Sequence, residues 1–203
     1  MNLITSIHVE RGGAELQDRA EIFQSGDRTI LAIADGAGGV GGSAAAAEAL
    51  IYNVMESCSQ LLTPGHCHRL LLQVDTVLAG GGSGETTGII AVITPEIIFG
   101  ATVGDSGARI YHSNVETFLT AGGPLKPLLG SGEARVMEFG TLLEGTLVVA
   151  TDGLWKYASS VNISAKIETV TPENLAAELV NLPRLRSGSL PDDIAVVTCR
   201  IKR

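Results

Sequence analysis

No stretch of this chain approaches the roughly 18 to 20 consecutive apolar residues that a membrane-spanning helix needs, so the sequence predicts no such helix. Positive charge is also short: 14 Lys and Arg stand against 22 Asp and Glu, a formal net charge of −8. That balance argues against a nucleic-acid backbone as partner, and equally against an anionic membrane surface. The amino terminus, Met1-Asn2-Leu3-Ile4-Thr5, lacks the basic and apolar regions of a secretory signal. Cysteine is sparse, and the odd set of Cys58, Cys67 and Cys199 makes no disulfide framework. These absences together predict a cytoplasmic protein with reduced thiols.

What is present is a hydrophobic fraction of 45% with 18% charged residues, the composition of a globular chain. At 203 residues the expectation is one domain spanning 1–203, burying roughly 70% of its unfolded surface, with no internal repeat and no interdomain linker. Residues 3–9 and 29–34 read as strands, and Gly26-Asp27 as a hairpin turn. From residue 43 the period changes. Ala47, Leu50, Ile51, Val54, Cys58, Leu61 and Leu62 recur at helical spacing, and Pro64-Gly65 ends that helix. A second helix from about residue 66 turns Leu70, Leu71, Val74, Val77 and Leu78 inward and ends in Gly80-Gly81-Gly82-Ser83-Gly84, a flexible connector.

Residues 87–94 and 96–103 are separated by a turn at Pro95, too short for a crossover, so they should pair antiparallel. Residues 107–112 and 115–119 flank a second hairpin signal at Ser113-Asn114. After an irregular stretch over 122–132, strands are expected at 134–139, 147–151 and 194–201. Pro172 introduces a helix carrying Leu175, Leu179 and Leu182 on one face. Amphipathic helices in tandem among antiparallel strands predict an α+β fold with helices layered on sheets.

The aspartates are placed unusually. Ala34-Asp35-Gly36 ends one apolar run, Thr151-Asp152-Gly153 ends another, Gly104-Asp105-Ser106 closes a third, and Pro191-Asp192-Asp193 precedes a fourth. Acids where buried strands emerge at a sheet edge are costly to bring together, because like charges repel in a low-dielectric cleft. Hard divalent ions such as Mg²⁺ or Mn²⁺ relieve that repulsion and select carboxylate oxygens. Gly36-Ala37-Gly38-Gly39-Val40-Gly41 also matches G-x-G-x-x-G between a strand and a helix, the context of a dinucleotide fingerprint. Against an NAD(P)-binding oxidoreductase, a helix pair and hairpins follow rather than a second parallel strand. Glu56 falls inside the helical pattern, and the four aspartates stay unexplained.

The order of motifs resembles the type 2C metal-dependent serine/threonine protein phosphatase family. Gln17-Asp18 resembles its early Glu/Gln-Asp element, and Ala34-Asp35-Gly36-Ala37-Gly38-Gly39 its Asp-Gly-x-Gly-Gly signature. Gly84-Glu85-Thr86-Thr87-Gly88 is similar to its Gly-x-Thr stretch, and Val103-Gly104-Asp105-Ser106 to its Gly-Asp-Ser element. Ala150-Thr151-Asp152-Gly153-Leu154-Trp155 resembles Ser/Thr-Asp-Gly-Leu-Trp, and Asp192-Asp193-Ile194-Ala195-Val196-Val197 the terminal Asp-Asn-Ile-Thr-Val-Val. The resemblance spans 17–197 and implies a four-layer α-β-β-α sandwich of two antiparallel sheets flanked by helix pairs. It also implies a centre of two Mn²⁺ or Mg²⁺ ions. Asp35 would bridge them, with the Gly36 carbonyl on one and Asp152 and Asp192 on the other. Asp18 would act through bound water and Asp105 at a third, weaker site. Asp35, Asp152 and Asp192 then carry the catalysis. Metal coordination lowers the pKa of water to about 7, so hydrolysis of phosphoserine or phosphothreonine in proteins is the implied reaction.

The implied partner is a phosphorylated protein, the substrate of a bacterial Ser/Thr kinase or a sigma-factor partner switch, and the sequence does not choose between them or give the oligomeric state. The rival within the fold is a catalytically silent binding module.

The departures from the family pattern are specific. Gly13 stands where many members carry a phosphate-gripping arginine, leaving Arg11 or Arg19 as substitutes. Ala37 stands where animal members have a histidine, and Asp193 replaces an asparagine, an added charge expected to weaken or retune metal binding. The 106–152 segment leaves little room for a flap. Together these describe a minimal bacterial form with an open cleft. Of the remaining residues, His66 and His68 point to different helix faces rather than forming a zinc pair. Trp155 reads as a packing anchor and not a substrate platform. Thr86 and Thr87 read as strand packing, with an approach to the metals' water shell as the alternative, and Lys126 and Lys156 as solvated lysines, with attraction of an anionic substrate as the alternative.

Overall fold

Tight turns set the chain path. The computed structural model describes residues 3–37, 42–113 and 115–201; Gly38, Gly39, Val40 and Gly41 of the glycine cluster and Asn114 of the second hairpin turn lie outside them. Strands β1 (Leu3–Glu10), β2 (Asp18–Ser25) and β3 (Arg28–Ala37) lead into helices α1 (Ser43–Ser57) and α2 (Pro64–Gly81). Then come β4 (Glu85–Thr86), β5 (Gly88–Ile93), β6 (Ile97–Val103), β7 (Gly107–His112), β8 (Val115–Phe118), β9 (Met137–Leu142) and β10 (Thr146–Ala150). The chain finishes with α3 (Asp152–Trp155), α4 (Ser160–Thr169), α5 (Leu175–Val180) and β11 (Ile194–Ile201).

One sheet has the order β1-β11-β10-β7-β8, and the other β2-β3-β5-β6-β9 with β4 attached to β3. The pairings are antiparallel. Because β5 runs antiparallel to β3, the parallel βαβ unit of a dinucleotide fold is not formed after the glycine cluster.

Apolar runs become strands here because both of their faces are buried. On β3, Ile30, Ala32 and Ala34 pack under α1 and α2, while Leu31 and Ile33 face the other sheet. On β10 and β11, Val148, Ala150, Ile194 and Val196 pack under α4 and α5, while Leu147, Val149, Ala195 and Val197 join the inter-sheet core. Three stacked cores therefore make four layers, α-β-β-α.

β2 and α4 are among the elements that went unread in the sequence, and the strand expected at 134–139 runs instead over Met137–Leu142. β2 carries only Ala20, Ile22 and Phe23 as apolar residues, and α4 buries only Ile163 and Ile167, too few to mark a period. Val77 turns outward on α2 and is 63% exposed. That helix runs on through Gly80 and Gly81, so the connector is shorter than the glycine run implies. His66 Nδ1 accepts the Leu62 N–H at 3.3 Å, whereas His68 faces Glu138 at 3.1 Å, so the two histidines serve different neighbours. The three cysteines are unpaired, and burial pushes the Cys67 and Cys199 thiols up to about 12.

The irregular stretch around 128–134 is held by Asp75, buried on α2. Its Oδ1 accepts the N–H groups of Gly130 and Gly132 at 2.8 and 3.0 Å, and its Oδ2 that of Ala134 at 3.2 Å. Leu129 in turn exchanges backbone hydrogen bonds with Thr86 at 3.0 and 3.1 Å. Asp75→Ala leaves three N–H groups without an acceptor and is expected to lower stability by about 2–4 kcal/mol, read as a shift in denaturant midpoint.

Candidate metal centre

Where β3, β6 and β10 end and β2 and β11 begin, Asp35, Asp105, Asp152, Asp18 and Asp192 collect at one end of the sandwich. Asp18 lies directly opposite Asp35 in the β2–β3 register. Carboxylate oxygens of Asp35, Asp105 and Asp152 lie within 4.8 Å of one another. The charges of Asp18 and Asp35 act on each other, as do those of Asp152 and Asp192.

Electrostatics follow from that crowding. Burial, then the Asp35 charge, pushes Asp18 up to about 9, while the Thr151 hydroxyl pulls the other way. Burial, then Asp152 and Asp105, pushes Asp35 up to about 7. Asp105 and Asp192 are also raised, first by burial and then by Asp152. Asp18 Oδ2 is buried without a hydrogen-bond partner, which is costly for a carboxylate oxygen. An all-oxygen donor set of like charge with one orphaned oxygen fits a hard divalent cation.

The backbone of Asp35 is fixed by threonines. Its N–H donates to Thr87 Oγ1 at 3.0 Å, and Thr87 Oγ1 shares a hydrogen bond with Ser106 Oγ at 2.7 Å. Its carbonyl accepts the Thr86 hydroxyl at 2.9 Å and the Thr87 N–H at 2.8 Å. Thr86 and Thr87 therefore do more than pack the strand, as the sequence reading had them. Gly36 is required by a close approach, but to the helix α1: a Cβ there would lie 2.5 Å from the Ser43 carbonyl oxygen. Gly153 is pressed on β11 in the same way, with a Cβ position 2.2 Å from the Asp193 carbonyl oxygen. That contact draws α3, which opens with Asp152, against the segment carrying Asp192.

Asp193 has a role that the sequence did not reveal. Its Oδ1 accepts the N–H groups of Gly12 and Gly13 at 2.8 and 3.2 Å, and its Oδ2 that of Gln17 at 2.7 Å. An asparagine offers one acceptor oxygen and would turn an NH₂ on one of these donors. The added charge is thus spent on the loop leading into Asp18, although it is among the smaller causes of the Asp18 shift. Arg11 and Arg19 serve that loop too: Arg11 donates to the Ala14 carbonyl at 3.1 Å, and Arg19 to those of Leu16 and Asp18 at 2.9 Å.

Trp155 is an anchor. Its Nε1 donates to the Ala150 carbonyl at 3.0 Å. Arg109 is stacked between the rings of Trp155 and Phe118 at 3.9 and 3.8 Å, and pairs with Glu116 at 2.7 Å. Lys156 is paired with Asp152, so it is not simply solvated; Lys126 is exposed.

Asp193→Asn is expected to destabilise the fold by about 1–3 kcal/mol and to leave Mn²⁺ affinity unchanged or weaker. Tighter Mn²⁺ binding, measured by calorimetry, would restore the view of Asp193 as a mere surplus charge. In EDTA, the folded state holds protons on Asp18 and Asp35 between their ordinary 3.8 and about 9 and about 7 respectively, where the unfolded chain has released them. Stability must then fall as pH rises through that window. The melting temperature in EDTA is expected to drop between about pH 4 and about pH 9, most steeply below about pH 7 where both groups contribute, with Mn²⁺ restoring it most at the higher pH.

No family model matches this sequence, and no curated protein matches it either. Solved structures match over the full chain. A bacterial serine phosphatase superposes with a TM-score of 0.87 at 16% identity, covering 99% of this chain and 98% of that one. The S. agalactiae serine/threonine phosphatase gives a TM-score of 0.84 at 19% identity, covering 99% and 100% of the two chains. The Mycobacterium tuberculosis serine/threonine phosphatase PstP/Ppp gives 0.82 at 16%, covering 99% of each. At these identities the likeness is one of fold, and this chain has the fold of the bacterial serine/threonine phosphatases.

Proposed function

We propose that this chain, as one catalytic domain, is a metal-dependent phosphatase that hydrolyses phosphoserine and phosphothreonine in proteins. The observation that carries the reading is the cluster of Asp35, Asp105 and Asp152, with oxygens mutually within 4.8 Å, at one end of a phosphatase fold. Asp35, Asp152, Asp192, the Gly36 carbonyl and, through water, Asp18 would hold two Mn²⁺ or Mg²⁺ ions, and Asp105 a third. Bound there, such ions supply Lewis acidity at phosphate oxygens and activate water at neutral pH. The chain's own part is to hold Asp35 rigid through Thr86 and Thr87 and to keep Asp18 and Asp35 in one register. Its substrate is a phosphorylated protein, the product of a bacterial Ser/Thr kinase, and three unpaired cysteines suit a cytoplasmic setting.

A catalytically silent binding module is the second reading. It is favoured by Arg11 and Arg19, whose guanidinium groups bond carbonyls of their own loop. Hydrolysis of an aryl phosphate and of a phosphothreonine peptide with Mn²⁺ or Mg²⁺ separates the two readings. No turnover with any divalent ion would leave only the binding module. Asp35→Asn and Asp152→Asn are each expected to lower turnover by about a hundredfold or more, the scale on which loss of metal-site groups acts, with the circular dichroism spectrum unchanged. Asp105→Asn should retain activity but require more metal.

A further inference from the structure

Helix α3 opens with Asp152 and places Lys156 one turn later on the same face. The Lys156 ammonium pairs with Asp152 Oδ2, and its backbone N–H is tied to the Asp152 carbonyl at 2.8 Å. The Lys156 side chain is 53% exposed against 13% for Asp152, so the ammonium lies on the solvent side of that carboxylate. Its charge acts on Asp105 and Asp192 as well. One positive charge cannot offset Asp18, Asp35, Asp105, Asp152 and Asp192, so Lys156 is no replacement for divalent ions. It is instead a half-exposed donor beside Asp152, on a flexible four-carbon stem of the kind that lets lysine reach a phosphate as a point charge.

We propose that Lys156 is the cationic contact for the phosphoryl group of the substrate and for product phosphate, entering from α3 rather than from the loop before β2. The proposal rests on the phosphatase reading above. Lys156→Met keeps the stem and removes the charge, and Lys156→Arg restores a charge.

Inorganic phosphate is titrated into the Mn²⁺-loaded protein by calorimetry, and aryl phosphate kinetics are run in parallel. In Lys156→Met, phosphate affinity is expected to fall about tenfold, with KM rising by a similar factor and kcat falling less. Lys156→Arg should recover phosphate affinity to within about threefold. Mn²⁺ affinity should be equal or tighter in Lys156→Met, since a competing ammonium is gone.

Unchanged phosphate affinity in Lys156→Met, or a loss accounted for by weaker Mn²⁺ binding, overturns the assignment. So does a parent protein that binds no phosphate with Mn²⁺ bound. A parent that binds phosphate through Lys156 yet turns over no phosphate ester would sink the phosphatase reading, and with it the substrate half of this proposal, leaving Lys156 as a phosphate contact alone. Turnover combined with a phosphate affinity indifferent to Lys156 would do the reverse.

Discussion

Mutual repulsion among carboxylates at the end of an apolar sandwich is the constraint around which the rest of this structure is organised. Asp35 and Asp152 offer oxygens within 4.8 Å of each other, and two unit charges at that distance repel by about 3.5 kcal/mol in an effective dielectric near 20. A folded domain is stable by only ~5–15 kcal/mol, so a fully charged cluster is held against a large fraction of that margin. Protons on Asp18 and Asp35 relieve part of it, Lys156 relieves part at the rim, and a divalent ion would relieve most.

Holding such a cluster requires a backbone that cannot yield. Asp18, Asp35 and Asp105 come from or follow strands of one sheet, while Asp152 and Asp192 flank strands of the other. The inter-sheet core of Leu31, Ile33, Leu147, Val149, Ala195 and Val197 lies directly behind them. Close-packed interiors transmit rather than absorb displacement, so strand ends anchored this way stay where the core puts them. Polar ties cross the same gap: Asp193, next to β11, bonds N–H groups 176 to 181 positions away in the loop leading to Asp18. Charge relief at this end is therefore also attachment of one sheet to the other.

Much of this was legible in the residues because doubly buried strands are written as unbroken apolar runs, and an aspartate closing such a run stands out. The hairpin around Pro95 and the strand β11 were readable for that reason, and the resemblance of six ordered motifs carried the layered architecture. β2 and α4 were not readable, since a half-exposed strand and a helix with two buried isoleucines hardly differ from loop in composition. The work of Asp193 was hidden for a different reason. A carboxylate that accepts backbone N–H groups needs no particular residue type at the donor positions, so no local pattern announces it. Among the donors, only the small Gly12-Gly13 pair hints at a tightly turned loop.

Two of the departures from the family pattern, Gly13 and Asp193, meet in one loop. The loop over 11–17 closes on a carboxylate, with three N–H groups directed at Asp193, and Arg11 and Arg19 secure its carbonyls. The two guanidinium groups are thus committed to carbonyls of the loop and of Asp18. Gly12 suits that arrangement, because a Cβ there would lie 2.1 Å from the Asp192 carbonyl oxygen, whereas Gly13 has open space around it and simply carries no cation. On the phosphatase reading proposed above, the cation for a phosphoryl group has to come from another element. Lys156, at the C-terminal end of α3, is the cation paired with Asp152 at the rim, so on that reading the loop's closure on Asp193 and the placement of Lys156 are complementary.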